Sequence, residues 1–186
     1  PTDHALYLGA NVNPYLPQAD VVLLIDTDVP YIPAQVRPRV DARIAQIDID
    51  PLKQDIPLWG FPVDIPILAD SAQALASLAD AAQRLLTPER RARIAARRAT
   101  VAAEHAKQEA RREQVALQKA GNRPIAVEWL CHCLDQVLSQ DTILLNETVT
   151  NSGTVSAYVR RTQPATFFQH GGSGLGWSMG AALGAK

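Results

Sequence analysis

Asp20-Val21-Val22-Leu23-Leu24-Ile25-Asp26 and Arg43-Ile44-Ala45-Gln46-Ile47-Asp48-Ile49-Asp50-Pro51 set the architecture of this chain. Each is a short apolar run of strand length, too short for a helix of ordinary size. From Val21 to Ile25 the apolar residues run on without polar alternation, and Arg43 to Ile49 is read as a second such strand. That is the mark of a strand buried on both faces, in a parallel sheet with helices on each side. Asp26-Thr27-Asp28 closes the first run. Pro51 closes the second, because proline has no N–H to give to a ladder.

Working outward, Leu6-Tyr7-Leu8 is a short strand candidate, followed by a loop carrying Pro14 and Pro17. Ile65 and Ile67 fit a short third strand. Ser71 is placed to cap an Ala- and Leu-rich helix reaching about Leu86. Thr87-Pro88-Glu89 opens the next helix, with a capping hydroxyl, proline at the first helical position and an acid in the first turn. That helix runs to about Ala120 and stops at Gly121. A further helix spans Pro124 to Gln140, and a strand covers Ile143 to Asn146. The pattern then gives a helix over Thr154 to Arg160, a strand at Thr166 to Gln169, and a small-residue helix after Trp177. The alternation of strands and helices predicts an α/β chain. The expected organisation is a Rossmann-like parallel sheet, itself incomplete, over residues 1–86. A helical linker follows at 87–123, and a second α/β domain begins over 124–186.

The composition excludes several function classes. A formal net charge of -1 gives no field that would draw nucleic acid or an anionic membrane. The long helix carries nine basic residues (Arg90, Arg91, Arg93, Arg97, Arg98, Lys107, Arg111, Arg112, Lys119) against four acidic ones, with no aromatic among them to stack on bases. It reads as a solvated connecting helix. No apolar run has the ~18 residues needed to span a bilayer. Cys131 and Cys133 flank His132 on a helix, where residues two apart do not share a face, so no metal site is expected. With no disulfide expected, a cytoplasmic protein is the natural reading. Pro1-Thr2-Asp3-His4 has neither an initiator Met nor a signal-peptide layout, so the chain reads as an internal piece of a longer product.

Two stretches in the second half carry chemistry. After Leu144-Leu145-Asn146 comes the polar loop Glu147-Thr148-Val149-Thr150-Asn151-Ser152-Gly153 and then a helix. After Phe167-Phe168-Gln169 comes His170-Gly171-Gly172-Ser173-Gly174-Leu175-Gly176, again before a helix. Loop N–H groups, hydroxyls and helix N-termini at the C-terminal edge of a parallel sheet are what a phosphate requires. Tight connection alone is the other reading of a Gly-rich turn.

The order Asn146-Glu147, a spacer, then Gly174-Leu175-Gly176-Trp177 resembles the start of the diphosphate-binding domain of thiamine-diphosphate-dependent enzymes in the acetolactate synthase and benzoylformate decarboxylase superfamily. Tyr15 to Asp26 and Ala45-Gln46-Ile47-Asp48-Ile49-Asp50-Pro51 resemble the central domain of the same superfamily, so the resemblance runs along the whole chain. It implies a magnesium-dependent enzyme that makes or breaks carbon–carbon bonds next to a carbonyl, acting on 2-oxo acids or aldehydes as a homodimer or homotetramer. It implies that Thr148, Thr150 and Asn151 contact the diphosphate, and that a carbonyl at Ser173 or Gly174 receives the aminopyrimidine. Leu175 would wedge between the two cofactor rings. His170 borders the loop and is a candidate proton shuttle. The resemblance places the Mg2+ ligands and the activating glutamate outside this chain, so the piece alone is expected to be inactive.

Asp48 and Asp50 end a strand where some relatives bind FAD or ADP, since a carboxylate there can hold a ribose hydroxyl; turn formation is the other use of such residues. A non-catalytic nucleotide-binding Rossmann-like module is therefore the alternative to the enzyme.

Overall fold

The computed structural model describes residues 2–169 and 174–185. The fold is mixed α/β with two small parallel sheets. By its internal contacts the chain forms two compact units. One is Ala10–Ile94; the other joins the opening residues through Gly9 to the chain from Ala95 onward.

The first unit holds β1 (Val21–Ile25), β2 (Arg43–Asp48), β3 (Ile65–Leu68) and α1 (Ser71–Arg84). The sheet order is β1-β2-β3, all parallel, with Leu23 beside Ala45 and Ala45 beside Ile65. Side chains alternate across a sheet. Val22, Ile44, Gln46 and Asp48 therefore lie on one face, and Val21, Leu23, Ile25, Ile47, Ile65 and Ile67 on the other. The first face is covered by the two crossovers, residues 26–42 and 49–64, neither of which contains a helix. They fold back to give a small core of Leu16, Tyr31 and Val36, with Val22 and Phe61 against it. The Tyr31 and Phe61 rings meet edge-on at 5.0 Å, and the Trp59 indole N–H donates to the Asp28 carbonyl at 2.7 Å.

Two expectations need correction. The double-sided burial holds for β2 but not for β1, where only Leu24 is buried and Val21 is 64% exposed. The physical reason is position. β2 lies between two strands, whereas β1 is a sheet edge and α1 has no fully buried residue with which to cover it. Leu6-Tyr7-Leu8 is not a strand; the Tyr7 N–H turns back onto the His4 carbonyl at 2.8 Å.

Helix boundaries also shift. Asp70, not Ser71, caps α1: its carboxylate accepts from the Gln73 N–H at 3.0 Å. A carboxylate at this position also complements the positive end of the helix. α2 spans Pro88–Gln118. α3 begins only at Val127, because Ala126 is extended, and runs to Val137.

The second unit holds most of α2, then α3, β4 (Leu144–Asn146), α4 (Ser152–Tyr158), β5 (Phe167–Gln169) and α5 (Trp177–Gly184). β4 and β5 are parallel, pairing Leu144 with Phe167 and Asn146 with Gln169. His105 is buried on α2 and its Nδ1 meets the Tyr7 carbonyl at 2.7 Å, which ties the opening segment down. Asp135 on α3 joins that helix to the chain after α4. Its carboxylate accepts from the Arg160 backbone N–H at 2.7 Å and from the Arg160 guanidinium at 2.6 and 2.9 Å.

Candidate functional site

The parallel pairing of β4 with β5 brings their last residues, Asn146 and Gln169, to the same sheet edge. Asn146, the last residue of β4 and 3% exposed, organises the first turn. Its Oδ1 accepts from the Thr148 N–H at 3.1 Å and the Thr148 hydroxyl at 2.6 Å, and its Nδ2 donates to the Ser152 hydroxyl at 3.2 Å. This short polar residue thus ties a local turn through its own side chain.

Glu147 links the two turns. Its carboxylate accepts from the Trp177 and Ser178 N–H groups at 2.9 Å each, and also from the Gly176 N–H and the Ser178 hydroxyl. These are the donors that the first turn of a helix leaves unsatisfied. The Ser178 hydroxyl and N–H, followed by the Trp177 and Gly176 N–H groups, outweigh desolvation and pull the carboxyl from 4.5 down to about 2. Gly176 sits at φ 89°, the left-handed region that glycine enters without steric penalty.

The predicted cofactor residues fall into distinct groups. Thr148, Thr150 and Asn151 lie on the first turn, and Gly174 and Leu175 on the second. His170 and Ser173 lie outside the described residues. The Thr148 hydroxyl proton is committed to Asn146. Thr150 and Asn151 are exposed and their side chains make no hydrogen bond among the described residues; Asn151 does not cap α4. Leu175 is 76% exposed. Sequence reading missed the role of Glu147. The signal was available: an acid directly after a strand, in a chain whose next strand leads to a helix with open N–H groups.

Asp48 and Asp50 belong to the other unit. Asp48 is 2% exposed, its Oδ1 accepts from the Asp50 N–H at 2.9 Å, and its Oδ2 lies 2.8 Å from the Lys53 ammonium. Burial pushes the Asp48 carboxyl up, but the Lys53 and Asp50 hydrogen bonds and the Lys53 charge prevail and hold it below its ordinary value. Lys53 also meets Asp28 at 2.8 Å, and hydrogen bonds to Asp28 and Asp48 raise its pKa. Asp50 accepts from the Lys53 N–H at 3.2 Å, which makes it a turn former. Asp48, expected as one of two ribose carboxylates, is thus buried and paired with Lys53 in this structure. Gln46, fully buried beside it, has no well-directed hydrogen bond from its amide among the described residues.

Among the described residues no group of three or more His, Cys, Asp or Glu is placed to hold a metal ion, and no helix is long and apolar enough to cross a membrane. Cys131 is buried and Cys133 half-buried, both as free thiols. Compared with known proteins, the chain matches no family model and no curated sequence.

Proposed function

We propose that the β4–β5 edge carries part of a diphosphate-binding site in a thiamine-diphosphate- and magnesium-dependent enzyme, and that the first unit is a Rossmann-like domain of the same protein. The substrates proposed are 2-oxo acids or aldehydes. The observation that carries this reading is that β4 and β5 end side by side as a parallel pair, with Glu147 reaching from the end of β4 to the start of α5.

The donor set of the first turn fits a phosphate tail. The Thr150 hydroxyl and Asn151 amide are exposed and make no side-chain hydrogen bond among the described residues, and the ionised carboxylate of Glu147 is already held by N–H groups at the start of α5. The first turn of α5 fits less well, because Glu147 already fills it. The tail is therefore assigned to the turn after β4, with Thr150 and Asn151 donating to its oxygens. Thr148 acts as a positioning residue through Asn146. Leu175, exposed on the second turn, is available to pack against a ring. Bound, the cofactor would supply the carbon nucleophile and electron sink for cleavage next to the carbonyl. Glu147 keeps Leu175 and the first turn in register by fixing the start of α5.

The alternative, a nucleotide-binding module without catalysis, has less support, since Asp48 is paired to Lys53. Titration of the full-length protein with thiamine diphosphate and Mg2+, and separately with ADP and FAD, tests both. The expected result is saturable thiamine diphosphate binding that Thr150→Val weakens by ~5–10-fold, the loss of one hydrogen bond to a charged oxygen. Turnover of pyruvate, benzoylformate or benzaldehyde should follow. Absence of thiamine diphosphate binding, or binding of ADP or FAD alone, would overturn the proposal.

A further inference from the structure

A cleft of about 360 Å³ opens at the N-terminal edge of the first sheet. It lies at the strand ends opposite those that carry Asp48 and Asp50. Its floor is apolar and closed to water: Tyr31 is 7% exposed, Ala42 8% and Ile44 4%. Phe61 forms a wall, held edge-on between Tyr31 and Trp59. A volume near the bottom of the ~300–1,000 Å³ range of ligand pockets suits a small molecule.

The charges at this cleft are unequal. Arg39 is paired with Asp41 at 2.5 Å and also feels Asp20. Asp64 accepts from the Ile44 N–H at 2.7 Å and lies 3.7 Å from Arg43. Arg37 donates its Nε–H to the Pro33 carbonyl at 3.1 Å, and among the described residues no carboxylate pairs with it. Its terminal nitrogens keep their donors, and its charge reaches Tyr31 in the floor. One guanidinium with no carboxylate partner among the described residues thus lines an apolar, aromatic-walled slot.

We propose that this cleft binds a small organic monocarboxylate with a flat apolar body. The body would lie on Tyr31, Ile44 and Phe61, and the carboxylate would take the Arg37 fork, a geometry suited to two parallel N–H···O bonds. A neutral ligand would leave the arginine unused. A dianion would meet Asp64.

Benzoate is the probe, titrated into the 186-residue chain with the three tryptophan indole N–H resonances as reporters. The Trp59 signal, identified by its loss in Trp59→Phe, is expected to move saturably while those of Trp129 and Trp177 stay. Benzyl alcohol is expected to bind at least ~10-fold more weakly, and Arg37→Gln to lose at least ~10-fold in affinity for benzoate. Val40 lines the mouth and is fully exposed, so Val40→Asp leaves folding intact and should weaken benzoate similarly. Arg84→Gln, on α1 and outside the cleft, should change nothing. No saturable Trp59 shift at tens of millimolar benzoate, or equal binding by wild type and Arg37→Gln, would overturn the assignment.

Discussion

The Glu147 carboxylate accepts the Ser178 N–H at 2.9 Å, so a side chain from the end of one strand caps the helix that follows its neighbour. This contact joins sequence positions 31 residues apart and defines the edge on which the proposed phosphate site stands.

The cap makes the stability of the second unit depend on pH. The carboxyl titrates near 4.5 when the chain is unfolded and at about 2 when folded. Its stabilisation is complete above the unfolded value and is lost as pH falls through the folded one. Glu147→Gln should lower the thermal midpoint at neutral pH, and its gap from wild type should close between pH 4.5 and about 2. Melting curves across that range are the measurement, and a gap that does not change with pH would contradict the role of the charge.

Lys53 holds two carboxylates with very different surroundings. Asp48 has a side chain 4% exposed and Asp28 one 68% exposed. Lys53→Met should destabilise the first unit by about 3 kcal/mol, because it strands a buried carboxylate. Asp28→Asn should cost less than about 1 kcal/mol, as an exposed pair does. Urea unfolding followed by Trp59 fluorescence, with Trp129 and Trp177 replaced by Phe, separates the two.

Asp135 has a side chain 5% exposed, whereas that of its partner Arg160 is 47% exposed. Asp135→Ala leaves the Arg160 N–H without its acceptor and should cost about 2–3 kcal/mol. Arg160→Ala removes the more solvated member and should cost about 1 kcal/mol. A double-mutant cycle by denaturant unfolding gives their coupling, which should be clearly non-zero.

At the start of α1 the two capping candidates make opposite predictions. Asp70→Ala should destabilise that helix by about 1 kcal/mol, and Ser71→Ala should be near neutral. Amide exchange over residues 71–84 is the readout, and a larger effect at Ser71 would contradict the cap assignment.

The expected cofactor residues divide for physical reasons. Thr148, Thr150 and Asn151 were legible because a polar loop between a strand and a helix is a local pattern. That the Thr148 hydroxyl is taken up by Asn146 while Thr150 and Asn151 stay open was not legible, because it depends on where the Asn146 side chain points. Asp48 looked like a ligand because strand-end carboxylates often are. Its pairing with Lys53 depends on a lysine held at φ 48° by the following turn, and no periodicity encodes that.

By itself the sequence determined the strand and helix order from β1 onward, the apolar run of β1, and the small residues around α5. These are properties of short stretches, governed by propensity, periodicity and the special backbones of proline and glycine. Only the tertiary structure decided that β1 keeps one open face and that Glu147 reaches α5. It alone also left Arg37, beside an apolar slot, without a carboxylate partner among the described residues. Those outcomes turn on which groups from distant positions meet, and hydrogen-bond partners, burial and charge balance are set by that meeting.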